Sequence, residues 1–361
     1  MSGGIAAALI MNDLMFRGIF DGAVTSSSSS SFETTSGSKH SIVTGEGFAL
    51  SGSGEPTAGT IAGITQTLNG ATLFDVTGLA SDAARFYAFG ADGMGALELL
   101  FSGNDALHGT RFDDVLNGFS GHDYLFGGPG ADTLSGGSGN DHIYGQSAMG
   151  GDDGADELHG GDGGDYLQGN SGADTIDGGN GSDRIMGGAS NDSILGGAGN
   201  DSVNGNRGDD AIDGGSDNDS LRGGQGNDSI SGGDGNDLLA GDLGSDVLTG
   251  GAGADIFLFS GQGSAISAGA DRIVDYVDGT DHISVGFAPT IILTGTVKAG
   301  DEAASVAQQL FDGHSGSGEI AALMVGSDTY LFYSSDGGNN VDSAILVAGA
   351  SAGSFTTTDF V

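Results

Sequence analysis

Aspartate falls at every ninth position from Asp156 to Asp255, and again at Asp105, Asp114, Asp123, Asp132 and Asp141. Around each one the chain approximates Gly-Gly-x-Gly-x-Asp-x-U-x, where U is a large apolar residue. A carboxylate that recurs beside a glycine loop points to cation binding. Glycine reaches positive φ and leaves carbonyl oxygens where side chains would otherwise obstruct them. Calcium wants about six to eight oxygens from carboxylates and carbonyls in a tolerant geometry, so one loop supplies about half a shell. Magnesium fits worse, because it demands octahedral geometry and keeps its waters. Zinc would want His or Cys ligands, and the chain has no Cys.

The elements that must hold these loops follow from the same period. A fixed repeat of this kind dictates a solenoid. The second residue after each Asp is apolar in all seventeen copies, from Leu107, Leu116 and Leu125 through to Leu239, Leu248 and Phe257. Its neighbours are mostly polar or small, so each unit predicts a strand of about three residues with one inward side chain. Two units per coil would stack alternate strands into two parallel sheets facing each other across those side chains. Loops one coil apart would then lie against each other, and ions would sit between loop n and loop n+2 along both edges.

Charge agrees with this geometry. The 361 residues include 74 Gly, 49 Asp or Glu and only 9 Lys or Arg, for a net charge of -40. Such a chain repels nucleic acid and anionic lipid surfaces. It also repels itself unless cations are bound among the carboxylates. Residues 101–255 hold 27 Asp and Glu157 against Arg111, Arg184, Arg207 and Arg222, a net of -24 that about twelve divalent ions would cancel. No apolar run approaches the roughly eighteen residues of a membrane-spanning helix. The absence of Cys removes disulfides and thiolate sites.

In this number and phase the motif resembles the RTX (repeats-in-toxin, hemolysin-type) calcium-binding family. The resemblance implies an all-β fold, a right-handed parallel β-roll, and multiple Ca2+ ions. It implies that loop positions 1 and 3 of one loop and 2 and 4 of its stacked partner give carbonyls, while the Asp at position 6 gives carboxylates. Carried onto this chain, the carboxylates are Asp114, Asp123, Asp132, Asp141, Asp156, Asp165, Asp174, Asp183, Asp192, Asp201, Asp210, Asp219, Asp228, Asp237, Asp246 and Asp255. The eight full motifs begin at Gly127, Gly136, Gly160, Gly178, Gly196, Gly223, Gly232 and Gly250. The ladder is expected to falter in five places. Two are the degenerate entry loops at residues 100–105 and 109–114, two are Ser190 and Asp217, which replace the fourth-position glycine, and one is the six-residue insertion at residues 145–150.

Composition divides the chain into four zones. Residues 1–37 read as a flexible leader and Ser-rich linker, with an apolar stretch that lacks the preceding basic residues of a secretory signal. Residues 38–100 read as a small α+β N-terminal cap, with strands around Ile42, Ile61 and Leu73 and two short helices starting at Ser81. Residues 101–255 are the calcium-binding β-roll. Residues 256–361 read as a β-rich C-terminal cap and secretion signal, with strands at 273–277, 291–293, 321–325, 330–333 and 344–347. The segment from Gly269 to Val285 resembles the flank that follows the repeats in secreted RTX proteins. The ending Asp359-Phe360-Val361 is similar to that of substrates of type I ABC exporters.

Catalytic motifs are not found. None of the seven His (40, 108, 122, 142, 159, 282, 314) is followed by Glu, so the His-Glu-x-x-His zinc motif is missing. Gly349 to Gly353 matches Gly-x-Ser-x-Gly, but no His follows Ser351 to complete a hydrolase triad in order. The expectation is therefore a secreted, non-enzymatic calcium-binding protein, extracellular or associated with the cell surface. It would fold on calcium outside the cell and serve a structural or adhesive role through self-assembly or cell-surface polysaccharide. The competing reading is an exported effector or pore-forming protein that uses the roll as a folding and export module, with its activity in residues 1–100.

Overall fold

The computed structural model describes the backbone of five strands within residues 23–82, and residues 103–109, 113–146, 154–259, 269–297, 302–313, 318–334 and 341–361 in full. Contacts divide the chain into two compact units, residues 1–180 and 181–361.

In the first unit, Ala106–His108, Tyr124–Phe126, His142–Tyr144 and Tyr166–Ser171 pair in parallel in one sheet. Val115–Asn117, Thr133–Ser138, Glu157–Asp162 and Thr175–Asn180 do so in the other. Successive strands thus alternate between sheets, and each coil uses two nonapeptides. The insertion leaves the register in phase, with Leu158 opposite Leu134 and Ile143 opposite Leu167. Ahead of these coils the strands Ala23–Ser27, Ser31–Ser36, Lys39–Leu50, Pro56–Leu68 and Ala71–Asp82 form an antiparallel meander whose last strand pairs with Ala106–His108.

Two strands, Ala23–Ser27 and Ser31–Ser36, thus fall within the segment that composition marked as leader and linker. The Val-Thr and Phe-Glu-Thr-Thr runs flanking the serine tract are rich in residues that favour strands. Ser81, expected to cap a helix, ends a strand instead, and the remainder of that helical expectation, residues 83–100, lies outside the described residues.

In the second unit one sheet runs Arg184–Ala189, Ser202–Arg207, Ser220–Gln225, Leu238–Leu243, Ile256–Leu258 and His282–Ser284. The other runs Ser193–Ala198, Ala211–Ser216, Ser229–Asp234, Val247–Ala252 and Asp271–Ile273, then continues through Ser343–Val347, Asp328–Tyr333, Glu319–Val325 and Ile291–Thr296. The coil geometry therefore persists beyond Asp255, where the nine-residue period stops. A helix, Ala303–Asp312, packs Ala307 and Phe311 onto Leu293, Ala321 and Leu323. No helix among the described residues is long and apolar enough to cross a membrane.

All seventeen U residues are buried, none more than 3% exposed. Most repeat strands run six residues rather than three, with two inward positions: in Glu157–Asp162 these are Leu158 and Gly160. The parallel ladder continues through the first glycines of the next loop because glycine brings no side chain into the space between sheets. A further departure concerns residues 273–277. The strand is Asp271–Ile273, and it ends where the side chain of Asp275 takes over the backbone donors of the neighbouring strand, as described below.

Candidate metal centre

Each repeat Asp points into the roll. All seventeen, from Asp105 to Asp255, are at most 3% exposed, and their two oxygens have separate tasks. Oδ1 accepts the backbone N–H of the Asp one coil earlier. In the first unit Asp105, Asp114, Asp123, Asp132, Asp141 and Asp156 donate to Asp123, Asp132, Asp141, Asp156, Asp165 and Asp174 at 2.7–2.9 Å. In the second, Asp183, Asp192, Asp201, Asp210, Asp219, Asp228 and Asp237 donate to Asp201, Asp210, Asp219, Asp228, Asp237, Asp246 and Asp255 at 2.8–2.9 Å.

Oδ2 faces the first glycine of its own loop. A Cβ added to Gly127, Gly136, Gly160, Gly196, Gly223, Gly232 or Gly250 would come closer than 3.0 Å to that oxygen. At Gly127, Gly136, Gly160, Gly196 and Gly232 it would also meet the carbonyl oxygen of the corresponding glycine one coil on: Gly145, Gly160, Gly178, Gly214 and Gly250. A carboxylate oxygen and a carbonyl oxygen from the next loop thus converge on one small space. The Oδ2 atoms of Asp123, Asp141, Asp201, Asp210, Asp219, Asp228, Asp237, Asp246 and Asp255 are buried and have no protein hydrogen-bond donor. A buried acceptor left in this way costs on the order of 1–3 kcal/mol, more when charged, and a cation relieves it.

Burial drives the same conclusion through the protonation state. It pushes the carboxyls of Asp123, Asp219 and Asp246 up to about 7, with neighbouring carboxylates adding to the rise. Asp201, Asp228 and Asp255 rise to about 6 for the same reasons. Asp105, at the start of the ladder, rises to about 8, with both oxygens lacking a donor. The groups at about 7 and 8 keep much of their proton at neutral pH until a positive charge arrives. Among the described residues no three His, Asp or Glu side chains gather into a metal cluster. A bound ion must therefore draw largely on backbone carbonyls, which suits calcium and excludes a side-chain zinc cage.

At the loops where calcium sites are expected to falter, the hydrogen-bonded row of Asp is unbroken. Across the insertion Asp132 and Asp141 reach Asp156 and Asp165 at 2.8 Å, and the Asp105 and Asp114 bonds of the entry loops are intact. Ser190 and Asp217 keep the loop path by adopting φ of 91° and 76°, so the substitution costs local backbone strain and the hydrogen bonds survive.

Two features escaped the sequence reading. Asp271 and Asp281 extend the ladder past the period, accepting from Asp246 N–H at 2.9 Å and Asp255 N–H at 3.1 Å, with Ile273 and Ile283 fully buried in the U position. The triplets Asp271-Arg272-Ile273 and Asp281-His282-Ile283 carried that signal at irregular spacing. A second, outer ladder uses the residue before the Asp. Asn191, Asn200, Asn218, Asn227 and Asn236 each accept a backbone N–H from the next loop, at 2.8–3.1 Å.

Of the histidines in or beside the repeat strands, His122 accepts from Asn140 N–H at 2.7 Å, His159 is half-buried beside Glu157, and His142 stacks between Tyr124 and Tyr166. Ser351 is exposed, and the chain runs from it into a turn at residues 352–354, whereas a strand-to-helix elbow opens a helix at its Ser.

These loops and strands define a calcium-binding β-roll. Segments between residues 101 and 262 match the model of the RTX calcium-binding nonapeptide repeat (4 copies): 101–134, 126–147, 150–185, 177–212, 186–221, 213–248 and 231–262. The repeat region is thus RTX calcium-binding repeat, and its several copies bind multiple Ca2+ ions. Two similar solved structures are subunits of the Azotobacter vinelandii mannuronan C5-epimerase. AlgE6R3 is 27% identical, with 42% of this chain and 77% of that one covered and a TM-score of 0.31. AlgE6R2 is 25% identical, with 42% and 91% covered and a TM-score of 0.26. A third, the extracellular lipase LipA from Serratia marcescens, is 16% identical over 60% of this chain and 40% of that one, with a TM-score of 0.20. No curated protein matches the chain.

Proposed function

We propose that the chain is a secreted, non-enzymatic calcium-dependent β-roll protein with a structural or adhesive role outside the cell. The observation that carries this reading is the row of buried Asp Oδ2 atoms that lack protein donors and share a glycine cradle with carbonyls of the next coil. In each regular site the Asp at position 6 supplies the carboxylate, from Asp114 to Asp255. The glycines at position 1, including Gly127, Gly136, Gly160, Gly178, Gly196, Gly223, Gly232 and Gly250, keep the cradle open and offer carbonyls. Calcium supplies the countercharge that lets these carboxylates remain ionised while buried.

The net charge of -40 supports a chain that stays expanded where calcium is scarce, a form suited to passage through a type I ABC exporter. Outside, millimolar calcium exceeds the affinities of about 10⁻⁴ to 10⁻³ M typical of extracellular modules, so binding and folding coincide. The folded roll then works by presenting a rigid surface to other copies or to cell-surface polysaccharide, not by catalysis. Far-UV circular dichroism during a calcium titration tests the coupling. A cooperative gain of β signal with calcium is the expected result, and a full β spectrum in excess chelator at a pH above about 8, where the buried carboxyls no longer hold protons, would reject it.

A further inference from the structure

The regular loops hand over from coil to coil through one pair of backbone donors. Gly127 N–H donates to Tyr144 O at 3.0 Å, and Gly128 N–H donates to Gly145 O at 2.9 Å. That Gly145 oxygen is the one that shares the cradle with Asp132 Oδ2. In the second unit the same role falls to Gly250 O, beside Asp237 Oδ2 at Gly232.

At Gly250 itself the pattern changes. Strand Val247–Ala252 pairs with Asp271–Ile273, with Leu248 opposite Ile273, so the residue that follows on opposite Gly250 is Asp275. There is no next-coil glycine, and the nearest atoms to a Cβ at Gly250 are Asp255 and the ring of Phe257, with neither a carbonyl nor an Asp275 oxygen as close, so the space beside Asp255 Oδ2 is wider than in the regular sites. The Asp275 side chain fills both vacated acceptor positions. Its Oδ1 accepts Gly250 N–H at 2.9 Å and its Oδ2 accepts Gly251 N–H at 2.8 Å. Asp275 Oδ2 therefore stands on the same donor that, one loop type earlier, holds the cradle carbonyl.

Asp255 is fully buried and its Oδ2 has no donor. Its N–H closes the ladder onto Asp281 Oδ1, and Asp281 Oδ2 is fixed by Val277 N–H at 2.7 Å. Asp281 and Asp275 are both close enough to raise the Asp255 carboxyl through charge repulsion, after the larger effect of burial. Residues 275–281 thus trace a last loop, one residue longer than the motif, with a carboxylate at each end.

We propose that this is a terminal calcium site in which Asp255 Oδ2 and the Asp275 carboxylate are ligands, the latter replacing the glycine carbonyl of the regular sites. The proposal rests on the calcium reading of the roll and adds a ligand from outside the repeat. Calcium affinity in oxygen-ligand sites rises with the number of charged ligands. With one carboxylate more than a regular site, this one fills early in a titration and fastens the coil at which the nine-residue period ends.

The test uses the full chain and counts ions by native mass spectrometry alongside the calcium midpoint of the circular dichroism transition. Asp275→Asn keeps the size and one acceptor but removes the charge, while Asp278→Asn removes an exposed charge from the same loop as a control. The expected result is one calcium fewer and a midpoint raised several-fold for Asp275→Asn, with the control unchanged. An unaltered ion count and midpoint in Asp275→Asn overturns the terminal site alone, whereas a wild-type chain that takes up no calcium overturns the underlying reading as well.

A second measurement does not depend on that variant folding. Tyr276 donates to the Asp281 carbonyl at 3.2 Å, which places its ring beside the site as a sensitiser for terbium in the wild-type chain. The earliest-filling terbium emission should disappear in Tyr276→Phe. Its persistence there counts against the proposal.

Discussion

Glycine at position 1 is required for space alone, whereas glycine at position 4 is required for backbone angle and, as at Gly235 beside the Asp217 carbonyl, for space as well. Gly232 has an ordinary backbone angle, yet a methyl there would meet Asp237 Oδ2 and Gly250 O. Gly232→Ala should therefore close the cradle and destabilise the calcium-loaded roll by roughly 1–3 kcal/mol, the cost of overpacking. Thermal unfolding in saturating calcium measures it, with Gly279→Ala, which meets nothing within 4 Å, as the variant that isolates backbone strain. Ser190 shows the opposite case: it occupies a glycine position at φ 91°. Ser190→Gly should stabilise the loaded roll by about 1 kcal/mol, because the left-handed region penalises side-chain-bearing residues by about that much. An unchanged midpoint would mean that the loop has already relaxed around serine. The inward row of Asp was legible because it recurs in phase. The Asn ladder keeps the same register, but Asn fills only seven of the seventeen positions before the Asp, and an amide that serves the next loop cannot be told from a solvated one without knowing that the loops stack.

Strands this short hold together through their neighbours, and one sheet of the first unit shows how. His108, Phe126 and Tyr144 form one outward column with ring centroids 4.7 and 5.0 Å apart. Tyr124, His142 and Tyr166 form the other, at 4.7 and 5.6 Å. The rings lie face to face at the spacing of parallel strands, so they support one another along the roll. Tyr144→Ser should cost about 1–2 kcal/mol, since each stacked pair contributes about 0.5–1.5 kcal/mol beyond its burial. Faster amide exchange across residues 124–144 with an unchanged calcium count is the expected pattern; loss of an ion would mean that the column props up a metal loop. At this scale the sequence was legible wherever Asp-x-U kept its period, because one apolar residue in three fixes which face is inside. It failed at the end of the roll. There apolarity suggested residues 273–277, whereas the strand is set by the Asp271 bond to Asp246 and stopped by the Asp275 bonds to Gly250 and Gly251. The helix Ala303–Asp312 was missed for a related reason. Its buried pair, Ala307 and Phe311, is spaced for a helix, but it sits in a small-residue run that a search for strands passes over.

Over the whole molecule, a chain of net charge -40 with its carboxylates turned inward folds under two different conditions, and pH distinguishes them. Burial holds Asp105 at about 8, Asp123, Asp219 and Asp246 at about 7, and Asp201, Asp228 and Asp255 at about 6, against about 3.9 for an unfolded aspartate. Without metal the folded form therefore keeps protons that the unfolded chain has released. Its stability from these groups is fully present below about pH 4 and is lost as pH rises through about 6 to 8. Calcium removes the slope. It displaces those protons from the same oxygens, so the loaded roll and the unfolded chain are both deprotonated across that window and the loaded roll keeps its stability, while calcium affinity falls as pH falls. Thermal unfolding followed by circular dichroism, once in chelator and once in saturating calcium, should give midpoints that fall with pH in the first series and stay level through that window in the second. The two lines should meet at acid pH, where protons exclude calcium, and part as pH rises, because a ligand of the folded state only adds stability. Parallel lines would mean that the inward carboxylates do not carry the metal dependence, and the cations would then have to act on the surface charge alone.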